Sequence, residues 1–194
     1  MEKKKFNTKA LVGLGLLTAI VIVLQAMAIS IRFGVFAITL TLVPIIVGAA
    51  LYGWKAGALL GFVFGVVVLI TDAGAFLAVN VPGTIVTCIL KGTLAGLCAG
   101  AVYRLISRKN KIAAVITAGV VSPLVNTGVF MLGCVLFFMD TISQWAAGAG
   151  FENAGAYMVT SFVGLNFVIE LAINLVLSSA IVAIIEYGVK SVKE

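Results

Sequence analysis

The sequence predicts an all-α integral membrane protein with six transmembrane helices, and three observations carry that prediction. Of 194 residues, 62% are hydrophobic before the 21 glycines are counted, and only 10% are charged. A soluble domain carries about 25% charged residues, and disordered chains and coiled coils also need many charges, so all three classes are excluded. The length is the second observation. A helical span takes about 20 apolar residues, so the chain holds six or seven spans with short connections and no soluble catalytic or nucleotide-binding domain. The third is the placement of the charges, which distinguishes six spans from seven.

The elements follow in order. After the basic start Glu2-Lys3-Lys4-Lys5, a first span runs over 9–29. Ala26-Met27-Ala28 resembles a signal cleavage site, but the apolar stretch exceeds the 7–15 residues typical of a signal peptide, so a retained helix is expected. Ser30 to Ala37 is a short loop holding Arg32 and Gly34. The second span covers 38–52, with Pro44 expected to kink it. Gly53-Trp54-Lys55 makes a tight turn, and the third span covers 56–70. These two are short, which a membrane tolerates where protein covers the polar backbone. Thr71 to Pro82 reads as a loop in which Asp72 and Asn80 are turn residues. The fourth span, 83–106, ends at the basic cluster Arg104, Arg108, Lys109 and Lys111, and the fifth covers 112–139. The longest connection, Asp140 to Tyr157, precedes a sixth span over 158–187. The whole chain, 1–194, is expected to be one transmembrane domain.

Six spans put Lys3, Lys4, Lys5, Lys9, Lys55, Arg104, Arg108, Lys109, Lys111, Lys190 and Lys193 on one side, 11 of the 13 positive residues. The other side holds Arg32 with Asp72, Asp140 and Glu152. Positive loops stay in the cytoplasm, so both termini are expected inside, and seven spans would break the asymmetry. The net charge of +6 thus reads as membrane orientation rather than nucleic-acid binding.

Catalytic chemistry finds little to use. The sequence has no histidine, which removes the commonest general base, any Ser/His/Asp triad and the usual zinc ligands. Cys88, Cys98 and Cys134 lie in apolar stretches without metal-ligand spacing and read as small buried hydrophobes. No phosphate-binding glycine loop is present. No catalytic residue, metal or cofactor is expected, and the chain does not read as an enzyme.

Glycine stripes recur every four residues, at Gly57, Gly61 and Gly65 in the third span and at Gly92, Gly96 and Gly100 in the fourth. Lipid provides no hydrophobic drive between helices, so such stripes are expected to pack helix against helix. In the first span Gly15-x-x-x-Ala19 is a small patch, open either to internal packing or to another membrane subunit.

Two ionisable residues sit deep in spans, Lys91 about 12 Å from the outer end and Glu170 about 18 Å, at 1.5 Å per residue. Buried charges are costly and mark function by default. Asn166, Glu170 and Asn174 share one helix face by their spacing of four, as do Thr84, Thr87 and Lys91 on the fourth span. Asn126 and Thr127 follow Pro123 in mid-membrane, where a kinked helix frees backbone carbonyls. Amide, ammonium and carboxylate groups converging from three helices suit a small polar organic ligand. A structural Lys91–Glu170 ion pair with asparagines as interhelical glue is the competing reading. Arg32 is a solvated loop charge or one that closes over a ligand at the outer mouth.

Together with the six-span plan, the run from Pro44 to Gly53 (Pro-Ile-Ile-Val-Gly-Ala-Ala-Leu-Tyr-Gly), the run Lys55-Ala56-Gly57-Ala58-Leu59-Leu60-Gly61, the segment Lys91-Gly92-Thr93-Leu94-Ala95-Gly96 and the pair Asn126-Thr127 resemble the substrate-binding S components of energy-coupling factor (ECF) transporters. The resemblance covers nearly the whole chain. It implies an S-component-like bundle in a bacterial-type plasma membrane that captures a vitamin or related micronutrient from outside. It also implies a pocket between helices four to six and the loop after the first helix, and partnership with a membrane scaffold subunit and two ATP-binding cassette ATPases. The substrate residues it implies are Lys91, Asn126, Asn166, Glu170, Asn174, Thr87 and Arg32. The scaffold contact of the family, an Ala-x-x-x-Ala pair, falls on Gly15 and Ala19, with glycine at the first position. Few aromatic residues fall on the polar faces, which argues against a large stacked ring such as riboflavin or folate. Lys91 would suit a carboxylate, as in a pantothenate- or biotin-like acid, and Glu170 an amine or hydroxyls. The alternatives are a proton-coupled secondary transporter using Glu170, although the two halves show no inverted repeat, or a structural membrane subunit.

Overall fold

A computed structural model of the chain describes residues 8–28, 32–33, 36–37 and 40–193. Lys3, Lys4 and Lys5, counted above for orientation, lie outside them. The elements are α1 (Thr8–Ala28), a hairpin of β1 (Arg32–Phe33) and β2 (Phe36–Ala37), α2 (Leu42–Tyr52), α3 (Trp54–Thr71), α4 (Gly74–Leu77), α5 (Val81–Ile106), α6 (Lys111–Phe137), α7 (Met139–Gly148), α8 (Ala154–Tyr157), α9 (Gly164–Val176) and α10 (Ser178–Lys193). A wide, π-helical turn over Met158–Val163 joins α8 to α9. Among the described residues, five stretches are long and apolar enough to cross a membrane, and α2 is a shorter apolar helix. The fold is an all-helical membrane bundle with one two-residue hairpin.

Helix starts follow the capping residues. Asn80 accepts a hydrogen bond from the Gly83 amide at 2.9 Å, and Asn110 accepts one from Ala113 at 3.0 Å. Both satisfy donors that a helix N-terminus leaves open, so Asn80 is a cap rather than a plain turn residue. Pro82 follows inside the first turn of α5, where the missing amide costs nothing. The same argument corrects the expected kink at Pro44. Helix α2 begins at Leu42, so this proline occupies its first turn and interrupts no hydrogen bond. Gly53, with φ at +95°, makes the turn into α3 in a conformation that L side chains rarely adopt.

The sixth span departs from one continuous helix over 158–187. Its start is the wide turn, and α9 and α10 meet at Leu177. Hydrogen bonds cross that joint, from the Leu177 amide to Ile173 and from Ile181 to Leu177, so α10 extends α9. The long connection after α6 is also more ordered than its Ala/Gly composition suggests. It forms α7, which buries Ile142 and Ala146 and leaves Asp140, Ser143 and Gln144 exposed.

The glycine stripes are the closest seam in the bundle. A Cβ at Gly61 would collide with the Gly92 carbonyl, one at Gly57 with the Gly96 carbonyl, and one at Gly65 with the Cys88 carbonyl. The clash is reciprocal, because a Cβ at Gly92 or Gly96 would strike the carbonyls of Gly61 and Gly57. Helices α3 and α5 therefore meet backbone to backbone. Helix α5 also packs on α6, α6 on α9 and α10, and α2 fills the angle between α3, α5 and α6. Helix α1 lies on α2 and α3, anchored by Val21 and by the Thr41 hydroxyl donating to Gln25 Oε1 at 3.3 Å, while Leu11, Val12 and Leu16 are exposed. Gly61→Leu is expected to destabilise the protein by about 1–3 kcal/mol or more through overpacking. Gly15→Leu, with nothing within 4 Å of its would-be Cβ, should change stability by no more than about 0.5 kcal/mol. Thermal unfolding in detergent distinguishes the two, and equal midpoints would contradict the seam.

Candidate functional site

The α3–α5 seam sets the rotation of α5. With Gly92 and Gly96 turned to α3, the face bearing Thr84, Thr87 and Lys91 turns toward α6. Thr87 fills the notch at Gly133 of α6, so these two helices run antiparallel with Thr87 beside Gly133. One turn deeper, the Lys91 ammonium lies 5.1 Å from the centre of the Phe130 ring and 5.9 Å from that of Phe64. The cation is held against two ring faces, an attraction that grows where water is excluded.

Helix α9 enters from the other side of α6. Gly119 sits beside Asn174, and Phe130 meets Phe162 edge to face at 5.9 Å. That antiparallel register sets Glu170 opposite the Ser122–Pro123 step and Asn166 opposite Asn126. Glu170 and Asn174 are 6% and 2% exposed, so the face expected from their spacing is the buried one. Glu170 and Lys91 are within electrostatic reach of each other. Among the described residues they form no ion pair within 4.0 Å, so the direct structural pair considered from the sequence is not made. Pro123, inside α6, has no amide to offer the Gly119 carbonyl, and the acceptor so freed lies next to Asn174.

The hydroxyls and amides here behave unlike those elsewhere in the bundle. Thr18, Thr71, Thr84 and Thr117 each donate to the carbonyl four residues back, at 2.7–2.8 Å. That local bond is how a helix hydroxyl is satisfied without water. Thr87 Oγ1, Ser122 Oγ, Asn126 Oδ1 and Asn174 Nδ2 are buried and make no hydrogen bond among the described residues. Thr93 Oγ1 is a fifth such atom, but Thr93 adjoins Gly61 on the α3 seam, away from this group. Four unpaired polar atoms from α5, α6 and α9, with the Lys91 ammonium and the Glu170 carboxyl among them, make a polar layer that offers hydrogen bonds to a guest.

Sequence reasoning missed the aromatic wall. Phe76 of α4 meets Phe130, Phe138, Trp145 and Phe162 with ring centres 5.0–6.0 Å apart. Tyr157 joins through Phe162 and Phe151 through Tyr157. These rings come from α4, α6, α7, α8, the wide turn and the joints between them; Phe130, one turn beyond Asn126, and Phe162, one turn before Asn166, share the polar faces by spacing, a signal that could have found them. The two-residue spacing of Phe36 from Gly34 in the first loop gave no hint of the hairpin either, whose register pairs Arg32 with Ala37 and whose β2 strand lies against α9. The side chains of Arg32 and Asn166 lie outside what the structure describes. Cys88 and Cys134 flank Lys91 as free, buried thiols, and Cys98 is half-buried. Gly15 and Ala19 are both exposed on α1.

A family model described as "ECF transporter, substrate-specific component" matches residues 9–185. No curated protein and no solved structure gives a match.

An unpaired buried polar group costs about 1–3 kcal/mol, whereas an apolar replacement of the same shape is near neutral or stabilising. Thr87→Val and Ser122→Ala are therefore expected to leave the thermal stability of ligand-free protein unchanged or slightly raised. A loss of more than about 1 kcal/mol in either would mean that the hydroxyl holds the bundle together.

Proposed function

The chain belongs to the family of ECF transporter substrate-specific components, and from that premise we propose that it captures a vitamin-like micronutrient in the polar layer between α5, α6 and α9. The observation that carries the reading is the set of buried, unpaired polar atoms around Lys91 and Glu170 in a chain otherwise made for lipid. Lys91, Thr87, Asn126, Asn166, Glu170 and Asn174 contact the ligand. The hairpin bearing Arg32, which lies against α9, covers it from outside. Delivery inward depends on a membrane scaffold subunit and two ATP-binding cassette ATPases. Gly15 and Ala19, small and exposed on the least buried span, seat α1 against the scaffold, because small residues let helix backbones approach closely. The chain works as one six-span unit in a bacterial-type plasma membrane, with both termini in the cytoplasm.

Mass spectrometry of the protein purified in mild detergent is expected to find one bound small metabolite. Lys91→Ala should weaken its retention by about tenfold or more, equivalent to about 1.4 kcal/mol. The double change Gly15→Leu with Ala19→Leu should abolish co-purification of scaffold and ATPases and spare metabolite binding. Absence of both metabolite and partners sinks the reading, and uptake driven by a pH gradient in vesicles lacking ATPases decides for a secondary transporter.

A further inference from the structure

The chemistry of the layer narrows the ligand, on the premise of the proposed function. Lys91 offers an ammonium and Glu170 a carboxyl, yet the two make no direct contact. Each is left to a partner of its own. The ammonium presses against the Phe130 and Phe64 rings, a weak substitute for an anion. Below it along α6, Phe130 to Ser122 covers about 12 Å of helix rise, with Asn126 one turn below Phe130. Glu170 stands opposite the lower end of that interval by the α6–α9 register. Between the two groups the unpaired atoms are Asn126 Oδ1 and Ser122 Oγ, with Thr87 Oγ1 one turn above Lys91 and Asn174 Nδ2 one turn below Glu170.

The walls differ as much as the ends. Phe130, which faces the cation, also meets Phe76 and Phe162 edge to face, and Phe76 carries the contact on to Trp145. Ring edges and faces of this kind accept a flat aromatic guest in offset or T-shaped contact, and an aliphatic chain gains no such geometry. A purely acidic ligand would leave Glu170 unmatched at the lower end, and a purely basic one would leave Lys91 unmatched at the upper end. Either would leave one polar end without a partner, which is costly inside a membrane.

We infer that the ligand is an amphoteric aromatic molecule: an anionic group at Lys91, a flat ring against Phe130 and its neighbours, and a protonated or N–H-bearing nitrogen at Glu170. The two charged ends set its orientation, acid toward the outer side and nitrogen inward. Asn126 and Ser122 then meet polar substituents between ring and nitrogen, which accounts for the hydrogen-bonding capacity left open at those two atoms.

The test uses full-length protein in nanodiscs with Trp54→Phe, so that Trp145, in the aromatic wall, is the reporting fluorophore. Four probes are titrated: 4-(aminomethyl)benzoate, benzoate, benzylamine and 6-aminohexanoate. The first is expected to bind at least about tenfold tighter than each of the others. Glu170→Gln should weaken 4-(aminomethyl)benzoate and benzylamine and leave benzoate unchanged, and Lys91→Met should do the reverse. Benzoate or benzylamine binding as tightly as the amphoteric probe overturns the two-ended assignment, and 6-aminohexanoate doing so overturns the aromatic one. No response to any probe also overturns the inference. The ranking needs only the parent protein, so a variant that misfolds does not remove the test. A parent chain that co-purifies with a metabolite and its ATPases yet ranks the probes otherwise overturns this inference alone, whereas one that holds neither overturns the proposed function as well.

Discussion

The backbone contact between α3 and α5 is the constraint on which the remaining structure depends. In lipid, apolar side chains gain nothing by leaving one apolar surface for another, so helices associate through close packing and polar contacts. Gly57, Gly61 and Gly65 against Gly92, Gly96 and the Cys88 carbonyl provide that packing at a distance no side chain permits. The contact does more than hold two helices. It fixes the rotation of α5, and therefore the direction of Lys91, which emerges between Phe64 of α3 and Phe130 of α6 instead of facing lipid. Had α5 turned by one residue, about 100°, a charge would face hydrocarbon and the glycine stripe would lose its partner.

A second consequence follows on the other side of α6. Pro123 and Gly119 leave α6 without one of its backbone bonds beside Asn174, and α9 brings Glu170 to the same stretch. The bundle holds this polarity without closing it. The hydroxyls of Thr18, Thr71 and Thr117 bond back to their own helix, whereas those of Thr87 and Ser122 do not. Leaving several polar atoms unpaired costs several kcal/mol in sum at about 1–3 each, and a ligand that satisfies them recovers that cost on binding. A family whose members are substrate-specific components has a use for such an arrangement, since preorganised groups lose little freedom when the ligand arrives.

Much of the fold was legible in the chain because membrane helices obey simple rules. Length and hydropathy marked the spans, and the four-residue glycine repeats marked the seam. The spacing of Glu170 and Asn174 marked a common face, and both are buried. The misreadings have physical causes. Pro44 looked like a kink because the start of α2 was placed four residues early, and proline has opposite effects in a first turn and in a helix middle. The segment after α6 looked like a loop because Ala and Gly hide an amphipathic helix whose buried residues, Ile142 and Ala146, are few. Asn80 looked like a turn residue, and only the amide it caps shows why α5 begins where it does.

The sequence by itself determined that the chain is a helical membrane bundle, which residues are too polar for lipid, and which helix faces they share. Those properties are local: composition, period and charge are read along one strand of chain and need no partner. Only the tertiary structure decided what those polar residues face. It holds Lys91 against two phenyl rings and keeps it from a direct ion pair with Glu170. It also gathers Phe76, Trp145 and Phe162 from three separate segments into one wall with Phe130. The reason is that the register between helices is set by side-chain notches such as Thr87 at Gly133 and Gly119 at Asn174, which are contacts between residues far apart in the chain and carry no periodic signal of their own.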